Sequence, residues 1–227
     1  MKSVSRGLWV GMSLLVAVMG CGLGPQVQGS GTLVQEERQV PEFVSLDVED
    51  GIESVVVVDP SQPRKVRVVG DDNLVRLMRT DVVGTGTLSV HFRMEDVGSW
   101  RSSNPLRVDV SGSIGAPFTL EASGGGSVKV RGLDTGLFSQ DVSGGADVTV
   151  EGRATRVEST MSGGSVLRAR DFSVEEAALI SSGGGSTEIR VSNALRVEAS
   201  GGGAVRIIGR PTVLQEDLSG GSTLRFE

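Results

Sequence analysis

Charged residues recur at fixed distances from a repeated Ser-Gly-Gly triplet, and they are the first place to look for chemistry. Two residues before the serines stand Glu121, Asp141, Thr160, Ile180, Glu198 and Asp217; six residues after them stand Lys129, Thr149, Arg168, Glu188, Arg206 and Arg225. Stacked, the first set would form a row of carboxylates able to attract a cation. Asp141 with Glu158, or Asp217 with Glu198, would supply the carboxylate pair that glycosidic cleavage needs at a fixed separation. Stacked, Lys129, Arg168, Arg206 and Arg225 would form a basic strip for an acidic polysaccharide or a lipid headgroup. Trp100, in a polar stretch from Met94 to Asn104, is the aromatic placed to lie on a sugar ring. Both rows are interrupted, and like charges ~5 Å apart repel. The bland reading is a solvated, alternately charged surface, on which Lys129, Arg168, Arg206, Arg225 and Trp100 are the surface-interaction candidates. No residue is assigned a catalytic role.

Other chemistries find less support. Cys21 is the only cysteine and His91 the only histidine, so no disulfide and no zinc site of Cys/His type can be built from them. The calcium-binding nonapeptide needs an Asp in each Gly-rich turn, and here only Asp147 lies near one. No Gly-Lys-Ser/Thr run leads into a helix as a phosphate loop requires. His91 alternates with apolar Val90 and Phe92 and reads as structural. No metal and no cofactor are expected.

Cys21 has a different role. Lys2 and Arg6 precede an apolar run from Leu8 to Val18, which is the length of a signal-peptide core and short for a bilayer span. The run ends in Val18-Met19-Gly20-Cys21. This resembles the bacterial lipobox, whose cysteine is acylated and becomes the new N-terminus. Residues 1–20 are then a removed signal peptide, and 21–37 a lipidated Cys followed by a flexible tether in which Gly, Pro, Gln and Ser occur with little pattern. Acyl chains contribute ~0.8 kcal/mol per buried CH₂, enough in combination to hold a soluble domain on a membrane. In the enterobacterial sorting rule Asp after the cysteine means retention in the inner membrane; Gly22 therefore points to the outer membrane.

The elements that would position these residues are β-strands. The chain has 33 Gly, 7 Pro and no Tyr, and its core must be thin and built from small and β-branched side chains. Its formal charge of −6, which becomes −8 when Lys2 and Arg6 leave with the leader, argues against nucleic acid as a partner. The triplet recurs at Ser123, Ser143, Ser162, Ser182, Ser200 and Ser219, at intervals of 18 to 20 residues. A fixed period near 20 is the signature of a solenoid, whose units bury their faces only on neighbours. Five and seven residues after each serine stand Val128/Val130, Val148/Val150, Leu167/Ala169, Thr187/Ile189, Val205/Ile207 and Leu224/Phe226, with polar residues between. That is period-two alternation. Five residues before the serines stand Phe118, Phe138, Val157, Ala177, Leu195 and Leu214. Two short strands joined by a Gly corner are expected per coil, in a right-handed all-β helix over 111–227. At ~4.8 Å per coil, six coils would give a rod roughly 29 Å long. Its last coil would leave open strand edges, through which a second copy of the chain could pair.

Residues 38–110 also read as β, with less regular spacing: Phe43 to Val48, Ser54 to Val58, Lys65 to Val69, Thr87 to Phe92 and Leu106 to Val110, with a helical turn near Leu74 to Arg79. This half is expected to cap one end of the rod.

The order of motifs resembles one bacterial family. Arg38-x-Val40-x-x-Phe43 leads to Asp50-Gly51-Ile52-Glu53, then Val66-x-Val68-x-Gly70-Asp71-x-Asn73-Leu74, then Thr80-x-Val82-x-Gly84 with Thr87-Leu88, and finally the Ser-Gly-Gly ladder. Over residues 38–227 this is similar to the head GIN domain family, described as putative auto-transporter adhesin. Glu53 stands where the name-giving motif has Asn, and Ser-Gly-Gly where many relatives have Gly-Ser-Gly. The resemblance implies a pectin-lyase-like β-helix without recognised catalytic residues, and an adhesive role. The expected protein is a membrane-tethered, non-enzymatic envelope lipoprotein with envelope polysaccharide or protein as partner. The rival is a polysaccharide-active β-helix enzyme, a lyase or glycoside hydrolase.

Overall fold

The computed structural model describes residues 24–227 except Met94; the segment expected to be a signal peptide and Cys21 lie outside the described residues. In chain order the strands are β1 Gln26–Gln28, β2 Leu33–Arg38, β3 Ser45–Val48, β4 Glu53–Val58 and β5 Lys65–Asp71. A single short helix, α1 Asp72–Leu77, follows, then β6 Met78–Val83, β7 Thr87–Phe92, β8 Ser99–Arg101, β9 Arg107–Gly112 and β10 Phe118–Ala122. The repeats form β11 Ser127–Val142, β12 Asp147–Gly163, β13 Val166–Gly183 and β14 Ser186–Gly201. The chain closes with β15 Ala204–Ile208, β16 Thr212–Leu218 and β17 Thr223–Phe226.

The expected β-solenoid is present, and each repeat lies parallel and in register on the next. Its coil has three sides, where the sequence suggested two strands. In β11 the buried residues are Val128 and Val130, then Leu133 and Thr135, then Phe138, Gln140 and Val142. The alternation slips phase at Arg131-Gly132 and again at Gly136-Leu137. A phase slip in a period-two pattern means that the chain has turned a corner. The Ser-Gly-Gly triplet marks only one of three corners, and the other two carry no recurrent signal strong enough to read.

The triplet corner has a steric cause. Its first glycine has positive φ in every coil, for example 70° at Gly163 and 96° at Gly201. A Cβ on Gly163 would also sit 2.5 Å from the carbonyl oxygen of Gly144 in the coil below. The corner backbones hydrogen-bond to each other, Gly164 N–H to Gly144 O at 2.8 Å and Gly184 N–H to Gly163 O at 2.9 Å. The ladder therefore runs through the corner, and only Gly lets the coils approach that closely.

The core is one continuous column of Val, Leu, Ile and Phe from Phe43 to Ile207. Phe118 stacks on Phe138 with ring centroids 6.0 Å apart, and Phe172 meets Phe138 edge-on at 5.7 Å. Burying ~150–250 Å² each, such rings dominate a thin core.

The stretch 38–110, read as a separate region, shares the sheets of the repeats. On the first side of the coil β4 lies on β11 and β9 on β4, both parallel. On the third side β3 lies on β10 and β7 on β3, again parallel. Beneath them the direction reverses. β5 pairs antiparallel with β9 and β2 with β5, while β6 pairs antiparallel with β7. The expected cap is thus a set of antiparallel pairings that end the parallel stack, one of them the β6–β7 hairpin, with α1 bridging β5 and β6.

Two segments depart from expectation. Residues 26–28 and 33–37, expected within a flexible tether, form β1 and all but the last residue of β2. The polar stretch 94–104, expected as a loop, contains β8, which pairs in parallel with β1 from Gln26↔Ser99 to Gln28↔Arg101. Both segments were too short and polar to show alternation. Their order comes from partners distant in sequence.

The name-giving motif also finds its place. Val48 pairs with Ala122 and Ser54 with Val128, so Asp50-Gly51 lies under Gly124-Gly125. It is the first corner of the ladder, built without the Ser-Gly-Gly letters. Asp50 takes the positive φ, 59°, that a glycine holds in the coils above. Its carboxylate accepts the Phe92 N–H at 2.7 Å and its carbonyl accepts the Trp100 indole N–H at 3.0 Å. These bonds offset the cost of a left-handed non-Gly residue.

Candidate functional site

The register brings both charged rows together as the spacing implied. Glu121, Asp141, Thr160, Ile180, Glu198 and Asp217 are successive partners on the third side. Lys129, Thr149, Arg168, Glu188, Arg206 and Arg225 are successive partners on the first side. What the rows can do depends on their neighbours.

Two of the four bases in the basic row, Arg168 and Arg206, are neutralised. Arg168 pairs with Asp147. Arg206 lies 3.6 Å from Glu188 and 3.5 Å from Glu227. Arg170 joins the same acids at 3.1 and 3.7 Å. Among the described residues, Lys129 and Arg225 are the members of the row without an ion pair. These pairs are exposed and each is worth little to stability. Their effect is to cancel the field that would attract a polyanion.

The acidic row continues past the repeats. Glu121 pairs with Asp47, and Asp47 with Ser89. The Asp47 carboxyl is pushed up to about 6, first by burial and then by the charges of Glu49 and Glu121, with His91 acting the other way. His91 is itself tied to Ser89, Oγ to Nδ1 at 3.0 Å. Sequence reasoning missed Asp47 because its coil carries Glu49-Asp50-Gly51 where the ruler would be Ser-Gly-Gly. Aligning Asp50-Gly51 with Gly124-Gly125 would have found it. No group of three or more His, Cys, Asp or Glu side chains that could hold a metal ion occurs among the described residues.

The two carboxylate pairs differ in geometry. Glu198 and Asp217 are direct register partners, and the Gln215 amide donates to both at 2.8 Å. Both acids are exposed. Glu158 pairs with Ser139, so it lies diagonally from Asp141 rather than opposite it.

Trp100 is a correction to the sugar-stacking expectation. It lies on β8, half-buried, with its ring against the core and its N–H spent on Asp50. It borders a depression of about 360 Å³ with Asp50, Phe92 and Val97. A larger groove, about 430 Å³, lies along the second side between Asp134 and Arg190. Within it Arg153 pairs with Asp134 at 2.5 Å, and this contact holds the Asp134 carboxyl below its usual range.

The two ends of the stack contrast sharply. At the capped end Asp71 is buried and accepts from Ser102 Oγ at 2.6 Å and Asn104 Nδ2 at 2.5 Å, contacts that lower its pKa. Asn73 takes the Ser30 N–H at 2.9 Å and donates to Gln28 O at 2.9 Å. The Gly70-Asp71-x-Asn73 motif is therefore the clasp that holds β1 and the 102–104 turn. At the other end, among the described residues, the last coil leaves apolar side chains exposed. Val213 is 39% exposed, Leu214 53%, Leu218 37% and Phe226 43%. Leu214, aligned with Leu195 by spacing, is displaced: Leu195 pairs with Val213, and the register slips after it. Glu216 pairs with buried Val197, so a charge stands in the core-facing row of the last coil.

Residues 42–211 match the family model described as putative auto-transporter adhesin, head GIN domain. Solved structures share the fold. A putative adhesin from Bacteroides fragilis matches with a TM-score of 0.65 at 18% identity, over 88% of this chain and 98% of its own. A putative adhesin from Parabacteroides distasonis matches at 0.55 and 17% identity, over 89% and 100%. A protein from the same organism described as a putative lipid binding protein matches at 0.57 and 15% identity, over 89% and 100%. Among curated proteins no significant match is found.

Proposed function

The chain belongs to the head GIN domain family of putative auto-transporter adhesins, and from that premise we propose a non-enzymatic adhesin-like lipoprotein of the bacterial envelope, tethered through Cys21, that engages its partner through the open C-terminal end. The observation that carries this reading is the asymmetry of the stack. One end is closed by antiparallel strands and a buried clasp, while the other presents Val213, Leu214, Leu218 and Phe226 beside edges of β16 and β17 that are unpaired among the described residues. Exposed apolar groups next to free strand edges favour strand addition by a partner. The signal-like leader and the lipobox-like sequence before Cys21 support the tether, and Gly22 supports the outer membrane as its location.

Glu216 bears on the partner. A second copy stacked on this end would bury one carboxylate per subunit, and an unpaired buried charge is costly. A basic group flanked by apolar side chains, offered by an envelope protein or glycoconjugate, fits better than self-association. The non-enzymatic reading is supported by the carboxylate pairs, which are solvent-exposed and, at Glu198 and Asp217, bridged by a glutamine amide.

The test uses the chain from Gly22 onward, immobilised and exposed to envelope fractions. Leu214→Asp and Phe226→Asp are expected to lower capture at least tenfold, with Lys129→Ala and Arg225→Ala close to unchanged. The reverse pattern would move the site to the basic row. Turnover of a glycan that disappears in Asp217→Ala would replace the reading with the enzymatic one.

A further inference from the structure

The position of β1 constrains how the tethered protein stands. We propose that the capped end is docked against the membrane that holds Cys21, with β1 and β8 facing the headgroups and the open end directed away; this rests on the lipidation of Cys21 proposed above. Three peptide units separate Cys21 from Gly24, a reach of at most ~11 Å. The chain beyond Gly24 is not free to extend. Gly98 N–H donates to Pro25 O at 2.9 Å, and Gly29 N–H to Arg101 O at 2.7 Å. Val27 packs on the core, and Asn73 holds Gln28 and Ser30. The anchor therefore leads directly into the folded body.

Its point of entry is the end of the stack. β2, which follows β1, is the outermost strand of the first side, beyond β5 and β9. From β2 to β17 that side is ten strands deep. At ~4.8 Å per strand the open edge stands roughly 43 Å from the anchored one. A lipid within ~11 Å of one end leaves the other well clear of the bilayer.

The charge distribution fits this placement. The chain carries −6 overall, yet residues 24–35 contain no charged side chain and residues 97–106 only Arg101. Of the acids nearby, Asp71 is buried in its clasp, Glu36 pairs with Arg38 at 2.7 Å, Asp72 with Arg76 at 2.5 Å, Asp96 lies 4.0 Å from Arg79, and Glu37 stands opposite Arg67; Asp81 and Glu95 remain exposed, as do Arg93 and Arg101. Anionic headgroups repel exposed acids and attract basic side chains. With most of its acids paired or faced by basic side chains, the anchored end can approach such a surface.

The experiment uses the acylated full-length protein in vesicles of phosphatidylethanolamine and phosphatidylglycerol carrying a headgroup-attached quencher. Because Cys21 is the only native cysteine and is consumed by acylation, one dye can be placed through Ser103→Cys and, in a second protein, Thr223→Cys. Quenching at position 103 is expected to exceed that at 223 at least fivefold. Twenty Gly/Ser residues inserted between Gly22 and Leu23 should keep the protein bound and reduce the contrast to below twofold. Equal quenching of the two dyes on bound protein overturns the docking while leaving lipidation intact. A contrast unchanged by the insertion overturns the short span as its cause. If Cys21→Ser sediments with vesicles as well as the native protein does, lipidation fails and the orientation falls with it.

Discussion

The two ends of this solenoid belong to the same stack and treat an exposed strand edge differently. At the N-terminal end three strand pairings turn antiparallel, and β2, β5 and β6 cover the parallel stack. There the Asp71 clasp buries a carboxylate and satisfies it with hydrogen bonds. At the C-terminal end the last coil simply stops within the described residues, with apolar side chains half exposed and Glu216 in the core-facing row. A repeat protein gains stability only where a unit has neighbours on both sides. The capped end gives up surface for stability; the open end keeps surface and stays poorly packed.

That contrast should be visible first in the core. Phe138→Ala, mid-stack between Phe118 and Phe172, is expected to cost about 3–5 kcal/mol. Phe226→Ala, 43% exposed in the last coil, should cost under ~1 kcal/mol by the same reasoning. Urea unfolding of the two variants measures the difference, and equal losses would mean that the last coil is covered.

Within the ladder the two glycines of one corner should separate. Gly163→Ala places a side chain at φ 70° and 2.5 Å from the Gly144 carbonyl oxygen, and should cost about 1–3 kcal/mol in backbone strain alone. A Cβ at neighbouring Gly164 meets that oxygen at an ordinary 3.8 Å, so Gly164→Ala should stay within ~0.5 kcal/mol. Thermal midpoints decide it. Similar losses at both would show that the pair acts as a unit.

The smallest effect is one of pH, and its sign differs between clasp and row. The Asp47 pKa is raised from 3.8 to about 6 in the folded protein. Between those values the folded state binds more protons than the unfolded, so stability falls as pH rises through the window. Asp47→Asn should therefore be more stable than the native chain at pH 7, by about 1 kcal/mol once solvent screening of a half-exposed group is allowed for, and should match it near pH 3.5. The Asp71 pKa is lowered by its Ser102 and Asn104 hydrogen bonds. It contributes stability above the unfolded value that is lost as pH falls through the folded one. Asp71→Asn should flatten the acid limb of the stability profile. Urea midpoints at several pH values check both signs.

Much of the solenoid was legible because its signals are local and repeated. The triplet fixed the period, and alternating Val, Leu and Ile gave the faces. The register derived from spacing placed both charged rows correctly, from Glu121 to Asp217 and from Lys129 to Arg225. It failed at Leu214, where one extra residue before Gln215 moves Val213 into its place. The candidate site was less legible. Arg168 and Arg206 stood out as basic, but their neutralising acids, Asp147, Glu188 and Glu227, come from other positions in neighbouring coils. Trp100 looked free in a polar stretch, and only the stacking of β8 against the Asp50 corner buries half of its ring.

The sequence by itself determined the architecture of this protein, because a corner that needs glycine and a face that needs branched apolar residues must be written again in each coil. The tertiary structure alone decided which ends and edges remain available. Capping, ion pairing and the docking of β1 are contacts between segments tens of residues apart, brought together by the fold, and no local pattern records them.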